Sequence, residues 1–253
     1  MANEITVQNI VDFMNTYCPF ETKCEWDNCG LLVGDASQKV AKIGFALDIT
    51  NEAAEFASKN GIDLIISHHP VIFKPVRSVA KGNPVYTMIN NNISAICAHT
   101  CLDKASGGVN DALAAKLGFK AYPLTDSGDE AMVRIAETEA MSGVELAEYV
   151  GRKLNAEIRL ADCGKEIRKI AMCGGSGCDF IQNAVDASCD AFITGDASHR
   201  NFLDALASGI TLIAAGHFET ENPVMSLLAE EIGKKYNIET ILIPQCSPVK
   251  YIK

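Results

Sequence analysis

The chain has 253 residues, of which 48% are hydrophobic, and carries a formal net charge of −10 with a pI near 5.0. That is enough apolar material to bury one large α/β domain or two intertwined ones, and an acidic surface that repels phosphate backbones and makes nucleic acid a poor partner. No stretch reaches the roughly 18–20 uninterrupted apolar residues of a membrane span, and the start, MANEITVQNIV, has no basic region followed by an apolar one, which points to a cytoplasmic protein.

In chain order, Thr6 is placed to cap a first helix whose apolar face is Val7, Ile10, Val11 and Met14. EWDNCGLLVGD follows as a loop. From Lys42 onward, short runs rich in Val and Ile alternate with helical segments, the pattern of a largely parallel sheet with covering helices, so the class is α/β. KIGFALD leads to a helix near Asn51 to Asn60, then DLIIS ends in His68 and His69, a helix starts near Pro84, and SAICAH ends at His99.

The alternation then recurs. Ser142 and Glu145 offer a capping box, and EIRLAD reads as a strand. KIAMC runs through Gly174, Gly175 and Gly177 to a helix, DAFITGD ends near Asp196 and His199, and TLIAAGHFETE closes the series. The two halves read as copies joined in the turn-rich YPLTDSGDEA between Tyr122 and Ala131. This gives a first repeat over residues 1–125 and a second over 126–253, with a return of the C-terminal end to the first domain left open. The pairs Cys24/Cys29, Cys97/Cys101 and Cys173/Cys178 are spaced too widely for CxxC, so the ten cysteines read as reduced, structural thiols.

All five histidines follow an apolar strand-like run: His68 and His69 after LIIS, His99 after AICA, His199 after FITGDAS and His217 after LIAAG. Open α/β sheets bind ligands at the carboxyl ends of their strands, so this clustering points to a site. Carboxylates join at usable spacings, with Asp103 four residues after His99 and Glu221 four after His217. If GHFETE opens a helix continuing through ENPVMSLLAEEIG, His217 and Glu221 lie one turn apart, with Pro223 in its first turn. Neighbours on a strand face opposite sides, so His68 and His69 suit two ions, one ligand for each, better than a single tetrahedral one. His68, His69, Asp103, His217 and Glu221 make a mixed nitrogen and oxygen set for two divalent transition-metal ions, with zinc, manganese, iron, cobalt or nickel all fitting. Two such ions suit water activation and hydrolysis. His99 and His199 read as groups that orient ligands or move protons, and Asp48 and Asp196 as acceptors behind the ligands or helix caps. CGGSGC is open to two readings, tight strand-to-helix packing or anion binding through its backbone N–H groups. Trp26 reads either as core or as a pocket wall.

EWDNCGLLVGD, ALDIT, DLIISHHPVIF, AHTCLDKASGGVNDALAAKLG, GGSG, ITGDASH and AGHFETE, in this order, resemble the NIF-three-like family, commonly labelled GTP cyclohydrolase I type 2 homologues. The resemblance covers nearly the whole chain. It implies duplicated three-layer α/β/α units with mixed sheets in two intertwined domains, a dinuclear metal centre, and a homohexameric ring with the sites facing an interior cavity. Matched motif by motif, it implies the same five ligands. Three positions depart from the pattern: Cys29 where relatives usually have serine, Cys101 where many have asparagine, and Arg200 where a second histidine often follows the first. The expected function is a metal-dependent hydrolase acting on a small nucleotide-like or phosphorylated substrate. The alternative is a non-enzymatic metal-binding scaffold or regulatory partner.

Overall fold

In the computed structural model, residues 4–250 and 252 are described. The chain divides into two compact units: one holds the residues up to Ser106 together with Val224–Gln245, the other Gly107–Pro223 and the residues from Cys246 onward.

The first unit begins with α1 (Val7–Tyr17), whose Val7, Ile10 and Met14 are buried as their spacing requires. Asn9 accepts the backbone N–H of Thr6 at 2.9 Å, closing the start of the helix. After it come β1 (Gly30–Val33), β2 (Lys42–Ala46), α2 (Asn51–Lys59), β3 (Leu64–Ser67), α3 (Pro84–Asn90), β4 (Ser94–Cys97) and the short α4 (Thr100–Lys104). The segment expected to be a loop thus contains a strand. Its GLLV run is only four residues long and pairs as an edge, antiparallel to β4, with Gly30 opposite Cys97. No local periodicity separates so short an apolar run from a loop.

The second unit comprises α5 (Val109–Leu117), β5 (Ala121–Pro123), β6 (Arg134–Met141), α6 (Gly143–Leu154), β7 (Arg159–Ala161), β8 (Ile167–Cys173), α7 (Ile181–Asp186), β9 (Ala191–Thr194), α8 (His199–Ser208), β10 (Thr211–Ala214) and α9 (His217–Glu221). Ser142 caps α6 as expected, accepting the N–H of Glu145 at 3.2 Å while Glu145 accepts that of Ser142 at 2.8 Å. The chain then returns to the first unit through α10 (Pro223–Tyr236) and β11 (Glu239–Leu242). The single helix expected from His217 onward is broken at Asn222, where Pro223 has no N–H to continue the ladder.

The division falls at Ser106–Gly107, whereas the sequence places the junction between Tyr122 and Ala131. The reason is α5: its Leu113 and Leu117 belong to the second unit's core, with Ile170, Met172 and Ile193. Buried Arg134 at the head of β6 reinforces this, paired with Asp111 of α5 and donating to the Ala131 carbonyl at 2.6 Å.

The first sheet has the order β1-β4-β3-β2-β11 and the second β5-β6-β8-β9-β10-β7. Both are mixed. In the first, β4, β3, β2 and β11 run parallel and β1 antiparallel; in the second, β8, β9 and β10 run parallel, flanked by antiparallel β6 and β7. Each unit therefore repeats one path: a helix, a strand that will pair antiparallel with the last parallel strand, then three parallel strands joined by two helices, then a one-turn helix. The duplication read from the sequence is present in the topology.

Each sheet is covered on both faces. In the first unit Ala46, Ile65, Ala95 and Ile243 pack under α2 and α3, while Phe45, Leu64, Ile66 and Ile96, of opposite parity along the pleat, are also buried. In the second, Ile170, Met172, Ile193 and Ile213 pack under α5 and α6, and α7 and α8 lie against β9 and β10 on the other side. Strands buried on both faces read as unbroken apolar runs. No helix among the described residues is long and apolar enough to cross a membrane.

Candidate metal-binding clusters

In the first unit the parallel strands end in line, Ala46 opposite Ser67 and Ser67 opposite Cys97. The residues that follow each end are therefore brought to one edge: Asp48 after β2, His68 and His69 after β3, His99 and Asp103 at the start of α4. Backbone bonds hold this edge, His69 N–H donating to the Leu47 carbonyl at 2.9 Å and Ala98 N–H to that of Ser67 at 3.0 Å. Gln245 clamps the end of β2, accepting the Leu47 N–H at 2.7 Å and donating to the Asp48 carbonyl at 2.7 Å.

His68, His69 and His99 each bring a ring nitrogen within 4.8 Å of the other two, and the ring centroids stand 4.9 to 5.5 Å apart. Strand alternation does not separate His68 from His69, because β3 stops at Ser67 and the pleat stops with it. Each Nδ1 meets an oxygen acceptor: the Ala98 carbonyl at 3.0 Å for His68, Asp48 at 2.8 Å for His69 and Asp27 at 2.8 Å for His99. A carbonyl or carboxylate can only accept, so each Nδ1 carries a proton, as it does in a histidine that ligates a metal through Nε2. Fully buried His68 turns Nε2 to Asp103 at 3.6 Å.

Asp27 is 7% exposed and is held by more than His99. The Thr100 N–H donates to it at 3.0 Å and the Thr100 hydroxyl donates to it as well. Burial works to raise its carboxyl pKa, and the hydrogen bonds from His99 and Thr100 overcome this and hold it well below the usual carboxylate range. It is thus a permanent anion behind His99. Sequence reasoning missed it; the only signal was a carboxylate beside Trp26 in a motif read as a loop.

In the second unit the same edge is built by Cys173, Thr194 and Ala214 in register, followed by Gly174 and Gly175, Asp196, and His217 with Glu221 on α9. His217 Nδ1 bonds Asp196 at 2.7 Å, and its Nε2 lies 3.0 Å from the Glu221 carboxylate one turn on. Burial pushes the imidazole pKa down, but the bond and charge of Glu221, then those of Asp196, raise it to about 9. The glycines make room for these two side chains. A Cβ on Gly175, whose φ is +56°, would lie 2.0 Å from a Glu221 carboxylate oxygen and 3.2 Å from His217 Nε2, and one on Gly195 would lie 2.8 Å from the His217 Cα. The N–H groups of Gly174, Gly175 and Gly177 donate to Asn110, Thr220 and Thr194. Close packing, rather than anion binding, therefore accounts for the glycine-rich turn.

Other expected residues fall elsewhere. His199 opens α8 and is exposed, and it is in no cluster of metal-capable groups among the described residues. Arg200 pairs with Asp204 one turn along the same helix. Trp26, 61% exposed, is not core: its ring lies 5.9 Å from both Phe73 and His99, beside the imidazoles. The cysteines are free thiols. Thiol hydrogen bonds from Cys101 and then Cys97 pull the pKa of Cys29 well below the ordinary thiol value, and burial pushes that of Cys97 up.

A family described as Duf34/NIF3 (NGG1p interacting factor 3) matches residues 5–248. A Campylobacter jejuni protein named GTP cyclohydrolase 1 type 2 homolog is 35% identical over 97% of this chain and 99% of its own length. One of the same name from Clostridium perfringens is 31% identical over 94% and 95%. Among solved structures, a hypothetical protein of Staphylococcus aureus aligns with a TM-score of 0.89 at 28% identity, covering 99% of this chain and all of that one. Reduced HcgD from Methanocaldococcus jannaschii aligns with a TM-score of 0.84 at 26% identity, covering 97% and 100%.

Proposed function

We propose a metal-dependent hydrolytic function for this chain, which belongs to the Duf34/NIF3 (NGG1p interacting factor 3) family. The ligands proposed for two ions are His68, His69, Asp103, His217 and Glu221. One observation carries the proposal: in both units the imidazole Nδ1 meets an oxygen acceptor, the arrangement that orients a histidine binding an ion through Nε2. Carboxylates beside imidazoles favour zinc, manganese, iron, cobalt or nickel. Two such ions supply Lewis acidity toward a water and a substrate oxygen.

The chain's own residues do the rest. Asp48 and Asp196 orient His69 and His217 and make them better donors. Of the two histidines expected to move protons, His99 is the one seated with His68 and His69, and we assign it that role, with Asp27 bonded to its Nδ1 and fixing the ring. The exposed ring of Trp26 beside His99 offers a face on which a flat heterocycle stacks. With relatives named GTP cyclohydrolase 1 type 2 homolog, this supports a nucleotide-like substrate.

Protein loaded with Mn²⁺ or Zn²⁺ is to be assayed against GTP, simple phosphoesters and small cyclic amides beside His68→Ala. Turnover of at least one substrate that falls about 100-fold or more in the variant, of the order seen when a catalytic group is removed, is the expected result. Wild-type turnover no greater than that of the variant across the panel overturns the hydrolytic reading.

A further inference from the structure

Four cysteines of the first unit converge behind the imidazoles. Cys29 ends the segment leading into β1, and its neighbour Gly30 pairs with Cys97 of β4. The Cys29 sulfur lies 3.4 Å from the backbone nitrogen of His99, which seats it between Cys97 and Cys101, two residues to either side. It neighbours both thiols, and Cys101 neighbours that of Cys18 in turn. The four are not equivalent. Cys29 is partly exposed, while Cys18, Cys97 and Cys101 are buried. The Cys97 thiol is engaged with the His68 carbonyl at 3.0 Å and that of Cys18 with the Met14 carbonyl at 3.3 Å. Cys101, whose thiol contacts those of Cys18 and Cys29, has no such carbonyl bond among the described residues.

We infer that Cys29 and Cys101 form an oxidant-reactive dithiol, with Cys29 attacking a peroxide and Cys101 closing a disulfide onto it. In the first step the Cys29 sulfur takes one peroxide oxygen as the O–O bond breaks, and the second oxygen leaves as water with the thiol proton, giving a sulfenic acid. In the second, the Cys101 sulfur attacks that of Cys29; the S–S bond forms, the S–O bond breaks, and the oxygen leaves as a second water with the Cys101 proton. Two thiols lose two electrons and one peroxide becomes two waters. Closure removes the Cys29 thiol from Asp27, to which it donates at 3.3 Å, and so alters the surroundings of the carboxylate that holds His99.

The test is treatment of the reduced full-length protein with one equivalent of hydrogen peroxide, followed by thiol titration and peptide mapping with fragmentation that separates Cys97 from Cys101. The wild type is expected to lose two of its ten titratable thiols and to yield a Cys29–Cys101 linkage. Cys97→Ala keeps the linkage; Cys101→Ser loses it and leaves a sulfenic acid on Cys29 that dimedone traps. All ten thiols remaining free in the wild type, or a linkage that joins Cys29 to Cys97 or survives Cys101→Ser, overturns the assignment.

Discussion

At the level of single residues, four histidines each have Nδ1 bonded to an oxygen acceptor. His217 shows the consequence for pH. Its pKa in the folded chain is raised from 6.5 to about 9 by Glu221 and Asp196, so in metal-free protein the protonated ring stabilises the fold. That contribution is fully present below about pH 6.5 and is lost as pH rises through about 9. An ion at the same nitrogen must displace the proton, so metal affinity runs the other way and strengthens over the same window. Asp196→Ala removes one of the two anions that raise the pKa and also the partner of Nδ1. Thermal melts of metal-free protein across pH are expected to show the loss of stability at lower pH in the variant than in wild type, and metal titration an affinity about 10- to 100-fold weaker. Identical melting profiles for the two proteins, with equal affinity, would show that Asp196 does not position His217.

At the level of elements, the site depends on strands ending in register and on turns that leave space at those ends. Gly175 is the sharpest case, since a methyl group there would occupy the place of the Glu221 carboxylate and the backbone is left-handed as well. Gly175→Ala is expected to destabilise the protein by about 1–3 kcal/mol in chemical denaturation and to weaken metal binding; a variant as stable as wild type that binds metal equally would contradict the packing account. The parallel strands, the caps at Thr6 and Ser142 and the strand-end histidines were legible in the sequence because each is a local pattern. What was not legible is non-local. β1 forms only by pairing with β4, more than sixty residues away; α5 looks like the end of the first repeat until its Leu113 and Leu117 are seen in the second core; and Asp27 acquires its role from Thr100 and His99 across the same span. His199 sat at a strand end by the same rule as His217, but its helix begins with it pointing to solvent, a difference of orientation that spacing does not encode.

Across the whole molecule, the same path of strands and helices is laid down twice, and each copy presents imidazole and carboxylate groups beyond the ends of its parallel strands. His99 and His217 stand at equivalent places, each at the start of the one-turn helix that follows the last parallel strand of its unit. We also carry forward, as a proposal, the homohexameric ring implied by the family resemblance. Native mass spectrometry of full-length protein purified without chelators tests the central claim most directly, because it counts bound ions and copies of the chain together. Two transition-metal ions per chain, with fewer in both His68→Ala and His217→Ala, is the predicted result. A wild-type protein without stoichiometric metal, or variants that retain the full complement, would contradict it.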